Sequence, residues 1–359
     1  MHLKKNKGEW SELYCFMKII HDRKLVLADK NLDRSSSGTT FKVKKVSTLN
    51  IPDDCILSDE NIVIVKNKET GTETVIQSSN FINDKDISVL ANRIVGGVRT
   101  FSIREFEIMQ SRLGIRIIKG GNSNQKADIL LDIENENITK FNEGFGVKSY
   151  LGCRPTLLNA SRNTNIIYSV SGLDEKHFNK INAINTRTKL IDRIKSIYAL
   201  GGQLKFSKFE ADSMAYNLAL VDQIIPELIS KMILEFFVNR TSNVSQNLKL
   251  LFNNGELREL SIEDLLFFQV KIKRLLTSML LGFFPGTKWD GEYVSNGTIV
   301  VKEDGGLVGF HIIELAALGE YLFENIKFDT PSLSRHGYGS LARDDNGTMH
   351  FKLNIQLRF

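Results

Sequence analysis

The sequence predicts an α+β fold: a mixed central sheet flanked by helices, with a largely helical second half and a C-terminal β-hairpin. Three observations predict it. Residues 41–79 hold three strand-like runs, residues 209–282 carry long apolar helical faces, and the last ten residues alternate apolar and polar side chains throughout. Hydrophobic content of 42% and charged content of 25% over 359 residues are those of a globular chain. With five prolines and no Ser/Gly linker, the whole of 1–359 reads as one chain without clear linkers.

The elements follow in order. Residues 1–30 hold the first helix, in which Trp10, Leu13, Phe16, Met17 and Ile20 recur at helical spacing over 9–20. Residues 31–100 read as a β-rich insertion with strands at 41–46, 61–65 and 72–76, then a helix at 84–96. Residues 101–209 hold a sheet and a basic segment. Ser102 and Glu105 suggest a capping box for a helix ending at Gly114, and strands follow near 115–119, 127–134, 144–150, 166–170 and 203–206. Helices are expected at 174–184 and 187–199. Residues 210–329 read as mainly helical, over 211–237, 262–282 and 310–324, with turns from Pro285 to Gly306. Residues 330–359 close the chain as a hairpin.

Several classes are excluded. No apolar run is long enough to span a bilayer, and Met1-His2-Leu3-Lys4-Lys5 has no apolar signal core, which points to a cytoplasmic protein with no membrane partner. Three cysteines without C-x-x-C spacing offer neither a disulfide framework nor a cysteine zinc site. Six histidines lack H-x-x-x-H and H-x-H spacing, and His311 reads as a core or helix-end residue. Between Lys176 and Lys208, eight basic residues stand against one acid, Asp192. Such a block suits a polyanion through counterion release; its alternative is a solvated helix face.

The chemistry concentrates on one hairpin. A turn centred on Ile138 places Asp128 opposite Lys148, with Asn135, Asn137, Asn142 and Gly144 supplying turn residues. Asp128 and Asp132 share a face of the first strand, and Gly146, Lys148 and Tyr150 share one on the second. A carboxylate for Mg²⁺ and a lysine to orient water or steady the transition state are parts of a phosphodiesterase site; the alternative is a solvated pair on an ordinary hairpin. The hairpin is one carboxylate short, because Gly146 stands two residues before the lysine. Glu9 and Glu12 on the first helix are the candidates to replace it. Glu9 lies nearer the face made by Leu13, Phe16 and Ile20, and both acids also suit a helix N-terminus.

Three blocks resemble the HpaII family of type II restriction endonucleases: Asn6-Lys7-Gly8-Glu9-Trp10-Ser11-Glu12-Leu13-Tyr14; Gly144 to Ser149 continuing through Leu151-Gly152 and Pro155 to Asn165; and Pro331 to Gly339 followed by Phe351 to Phe359. They occur in family order and span nearly the whole chain. The resemblance implies a PD-(D/E)XK-type fold and Mg²⁺-dependent cleavage of double-stranded DNA at C-C-G-G. A companion DNA methyltransferase would act on the same site, and the enzyme would be a monomer or a homodimer. In that frame Asp128 takes the metal-binding aspartate position, with Ala127 where proline often stands, and Lys148 takes the lysine position. Glu9 or Glu12 completes the metal site, and Asp132 is a further ligand candidate. A non-catalytic DNA-binding protein on a nuclease scaffold and a structure-selective repair nuclease are the rival readings.

The DNA-contact candidates fall in three places. Arg154, Thr156, Asn159, Ser161 and Asn165 follow the lysine strand and suit phosphates or base edges. Arg193 forms an acid–arginine pair with Asp192, similar to pairs in other C-C-G-G-reading enzymes. Ser334, Arg335 and His336 precede the final strand, whose polar positions include Lys352, Asn354, Gln356 and Arg358. The alternative for that strand is an edge with a merely wet polar face.

Overall fold

The computed structural model describes residues 3–48, 51–58, 61–77, 82–117, 126–260 and 264–359. The first part of the chain forms α1 (Lys7–Asp22), β1 (Lys24–Val26), β2 (Thr40–Thr48), β3 (Ile51–Leu57), β4 (Ile62–Asn67), β5 (Glu73–Gln77), α2 (Asp84–Gly96), α3 (Arg104–Leu113), β6 (Ile129–Glu134) and β7 (Thr139–Ser149). Next come β8 (Thr156–Leu158), β9 (Asn165–Ser171), α4 (Glu175–Asn182), α5 (Lys189–Ala199), β10 (Gln203–Phe209), α6 (Asp212–Val221), α7 (Ile225–Asn239), α8 (Val244–Asn253) and α9 (Leu265–Leu281). The chain closes with β11 (Gly297–Val301), β12 (Leu307–His311), α10 (Leu315–Asn325), β13 (Lys327–Phe328), β14 (Leu341–Arg343), β15 (Met349–Asn354) and β16 (Leu357–Arg358). This is the predicted α+β class. Contacts divide it into one unit of Met1–Pro155 with Tyr293–Tyr321, and a second of Thr156–Glu292 with Leu322–Phe359.

The first unit is built on a mixed sheet in the order β12-β11-β7-β6-β2-β3-β4-β5, with β1 beside β2. The pairing of β7 with β11 is parallel and the others are antiparallel. The β-rich stretch 31–100 thus extends the main sheet through the β2–β6 pairing. β11 lies inside the stretch read as turns. All five of its residues are buried, so it shows no period-two alternation. The strand expected at 115–119 is not formed at 115–117, and 118–119 lie outside the described residues. Ser102 does not cap α3: Ile103 is its N-cap, without a side-chain bond, and Glu105 pairs with Arg93.

α1 begins at a true capping box. Asn6 accepts from the Glu9 N–H at 3.1 Å, and the Glu9 carboxylate accepts from the Asn6 N–H at 2.9 Å. The helix packs against β2, β7 and α2, and buries Trp10, Leu13, Tyr14, Cys15, Phe16, Met17, Ile19 and Ile20. Ile129, Leu131 and Ile133 of β6 enter the same core.

In the second unit, β10-β9-β15-β14 form an antiparallel sheet and β13-β16-β8 a smaller one. The expected helix over 211–237 is two helices, broken at Asp222, with Pro226 in the first turn of α7. In the first unit, the helix expected from 310 begins only at Leu315; His311 closes strand β12 instead, and its Nε2 lies 2.8 Å from the Glu143 carboxylate.

Candidate active site

The β6–β7 hairpin closes on Asn135, whose Oδ1 accepts from the N–H groups of Asn137 and Ile138. Its register differs from the predicted one. Ile129 stands opposite Phe145 and Leu130 opposite Gly144, which places Asp128 opposite Gly146 rather than Lys148. Two features cause the shift: the turn falls at Glu136–Asn137 instead of Ile138, and β7 carries an irregularity between the partners of Leu131 and Ile133. Within it, Asn142 adopts a left-handed φ of 55°. The displacement is two residues, an even number, so Lys148 keeps its face.

Asp128 is fixed by backbone. Its N–H donates to the Phe145 carbonyl at 2.8 Å, and its Oδ2 accepts from the Val147 N–H at 2.7 Å. Burial raises its pKa, opposed by that hydrogen bond and by the Lys148 charge. Burial lowers the pKa of Lys148, opposed by Asp128 and then Glu12. Behind them, β11 supports β7: Thr298 donates its hydroxyl to the Gly146 carbonyl at 2.9 Å, and Ser295 donates to that of Gly144, also at 2.9 Å.

Of the two helix glutamates, Glu12 is the one that meets this pair. Its pKa is raised to about 7, first by burial and next by the Asp128 charge; Lys5 and Lys148 oppose the shift and Glu9 adds to it. Glu9, favoured by the helical wheel, is held back at the helix start by its capping box and lies 3.6 Å from Lys5. The three apolar residues that follow Glu12 at helical spacing, Cys15, Phe16 and Ile19, are each 0% exposed. They carry Glu12 inward, whereas Glu9 remains at the capped end.

Gly146 has a packing reason. A Cβ there would lie 2.8 Å from the Lys126 carbonyl oxygen and 3.9 Å from Asp128 Oδ2. The room for an acidic side chain is thus filled by backbone. Gly146→Glu is expected to destabilise the protein by about 1–3 kcal/mol without raising activity. Paired urea unfolding and cleavage assays check this, and a stable, faster variant would contradict it.

Lys126 itself escaped the sequence reading. Burial, and then the Lys148 charge, bring its pKa down to about 8. Its only sequence cue was its place two residues before Asp128. Asp132 goes elsewhere: it lies 3.2 Å from Lys45 and accepts from the Asn142 N–H at 2.7 Å. Four residues along a strand put it about 13 Å from Asp128.

The DNA-contact candidates divide by exposure. Arg154, Asn159, Ser334 and Arg335 are exposed, and Thr156, Ser161 and His336 are half-buried. Asn165 is fully buried, its amide donating to Glu210 at 2.6 Å and to the His336 carbonyl at 2.8 Å. Arg193 is buried as well, and its guanidinium donates to the carbonyls of Gly339, Asn182 and Ile184 and to the Ser340 hydroxyl. Asn354 is fully buried among Ser161, Thr164 and Asn165, and Gln356 is buried too. Lys352 pairs with Glu210 at 2.9 Å and Arg358 with Asp329 at 2.6 Å. The closing strand is not an edge: β15 lies between β9 and β14, its polar face narrows to the half-buried His350 and Lys352, and its alternation ends at Leu353. Asn165, Arg193, Asn354 and Gln356 therefore serve the fold.

The family model for HpaII restriction endonuclease matches residues 6–359. The chain belongs to this family. It is 33% identical to the type II restriction enzyme HpaII of Haemophilus parainfluenzae, over 99% of this chain and 98% of that protein. No solved structure matches. Family membership makes the chain a type II site-specific deoxyribonuclease. No helix among the described residues is long and apolar enough to cross a membrane.

Proposed function

We propose that the chain cleaves double-stranded DNA at C-C-G-G by Mg²⁺-dependent hydrolysis on a PD-(D/E)XK-type core, with Asp128, Glu12 and Lys148 as its working groups. The observation that carries this reading is the convergence of Glu12 and Asp128 beside Lys148: both acids are half-buried, the Asp128 charge penalises ionisation of Glu12, and both acids act on Lys148. A dication relieves that penalty, so the pair suits a hard cation. Among the described residues no group of three or more His, Cys, Asp or Glu is placed to hold a metal ion. Mg²⁺ commonly takes only one or two carboxylates and fills its shell with water and substrate phosphate, so two acids suffice.

Asp128 and Glu12 would hold the ion, which supplies Lewis-acid polarisation of the scissile phosphate. Asp128 keeps its orientation through the Val147 N–H. Lys148 presents its ammonium from the strand next to the acids, where it can donate to the attacking water or the phosphate. Arg154, Asn159, Ser334 and Arg335 remain candidates for DNA contact. The two-fold symmetry of C-C-G-G suits a homodimer. A methyltransferase protecting C-C-G-G in the same cell is the functional counterpart. Purified protein incubated with plasmid and Mg²⁺ should yield discrete fragments ending at C-C-G-G, and none in EDTA. A different fragment pattern overturns the site assignment; cleavage in EDTA overturns the metal requirement.

A further inference from the structure

Strand β10 carries a bulge between Phe206 and Lys208. Without it, Lys205 and Lys208, an odd number of residues apart, would point to opposite faces. With it, Lys205 aligns with Ser169 and Lys208 with Ile167, both on the side of β9 opposite the buried Ile166, Tyr168 and Val170. β15 continues both rows, His350 opposite Ser169 and Lys352 opposite Ile167. The other face of the sheet packs on α7: Tyr168 donates its hydroxyl to the Ser230 carbonyl, and Phe351 and Leu353 are fully buried.

The open face thus presents two rows, Lys205–Ser169–His350 and Lys208–Ile167–Lys352, whose charge comes from the three lysines, since burial and Lys352 lower the pKa of His350. They are separated by roughly 7 Å along the strands and extend about 10 Å across them. Lys205 and Lys208 are exposed. Of the acids nearby, Glu210 is committed to Lys352 and Asn165, and Glu259, whose charge reaches Lys205, is bonded to Lys231. From this geometry we infer that the open face of the β10-β9-β15-β14 sheet is a docking surface for the phosphate backbone of duplex DNA. The inference rests on the endonuclease reading and adds a surface to it. Charge complementarity selects the occupant: three lysines on one face of an antiparallel sheet, two of them exposed and brought to that face by the bulge, match a polyanionic backbone.

The test is salt-dependent binding of a C-C-G-G duplex of about 30 base pairs in Ca²⁺, comparing the wild type, Lys205→Ala/Lys208→Ala, the stem-preserving Lys205→Gln/Lys208→Gln, and Lys249→Ala on the exposed side of α8. Both double variants should bind at least about 10-fold more weakly, with the slope of log affinity against log salt reduced by about 2, while Lys249→Ala matches the wild type. Melting temperatures measured alongside confirm that the variants are folded. Unchanged affinity and slope in the double variants, with a wild type that cuts plasmid, overturn the docking surface and leave the endonuclease reading intact. A wild type that neither binds duplex nor cuts plasmid overturns both.

Discussion

Asp128→Asn is expected to lower DNA cleavage at least about 10²-fold while leaving duplex binding within a few-fold of the wild type. The asparagine oxygen can still accept from the Val147 N–H, so the hairpin keeps its shape and the lost quantity is negative charge. Asp128→Ala should be equally inactive and also less stable, because it strands that N–H in a buried place at a cost of about 1–3 kcal/mol. Single-turnover cleavage, with binding measured in Ca²⁺, separates chemistry from affinity. Near wild-type cutting by Asp128→Asn would remove Asp128 from the site.

The second large effect concerns the helix acid. Glu12→Gln should also lose at least about 10²-fold in cleavage, whereas Glu9→Gln should keep its activity and lose only part of a helix cap, about 1 kcal/mol. The same substitution has a signature in stability. The Glu12 pKa is about 7 in the folded protein against an ordinary glutamate value of 4.5, so the folded state holds a proton that the unfolded chain releases between those values. Raising the pH through this window therefore destabilises the wild type, by on the order of 3 kcal/mol once both states are ionised. Glu12→Gln escapes this penalty. In EDTA the two proteins should unfold alike near pH 4, and the variant should be the more stable near pH 8. Equal urea midpoints at both pH values would mean that Glu12 is not buried against Asp128. An inactive variant that outlasts its parent is the pattern of a site held at the expense of the fold.

Which parts were legible follows from how each signal arises. Periodicity marked β9, β10 and the long helices of the second unit, which turn one face to the core, and α1, whose apolar residues recur at helical spacing. It missed β11, buried on both faces, and it ran α6 into α7 across Asp222 because the apolar pattern continues on both sides of the break. The sequence reading of Asp128 and Lys148 as a facing pair rests on a hairpin whose register the structure shifts by two residues, and the shared face survives because two is even. The choice between Glu9 and Glu12 was not readable from amphipathicity. α1 is buried on nearly every side, so the wheel has no sharp polar face, and the deciding feature was the Asn6 cap that claims Glu9. The polar positions of the last strand resembled a reading head because alternation cannot distinguish an interior strand with buried asparagine networks from an exposed one. Lys126 had no periodic signal at all. Gly146, which leaves the hairpin one carboxylate short, is explained by a carbonyl oxygen occupying the space of its missing side chain.

The strand that carries Lys148 has neighbours of very different age during synthesis. β6 precedes β7 directly, but β11, the parallel partner on its other side, arrives only at Gly297–Val301, after the chain has run through most of the second unit. A nascent or prematurely terminated chain lacking residues 293–321 therefore exposes one edge of β7 and has no Thr298 beneath Gly146. The proposed cutting centre gains β11 behind it only once residues up to Val301, about five-sixths of the protein, have left the ribosome, so shorter fragments would reach the cell without that support.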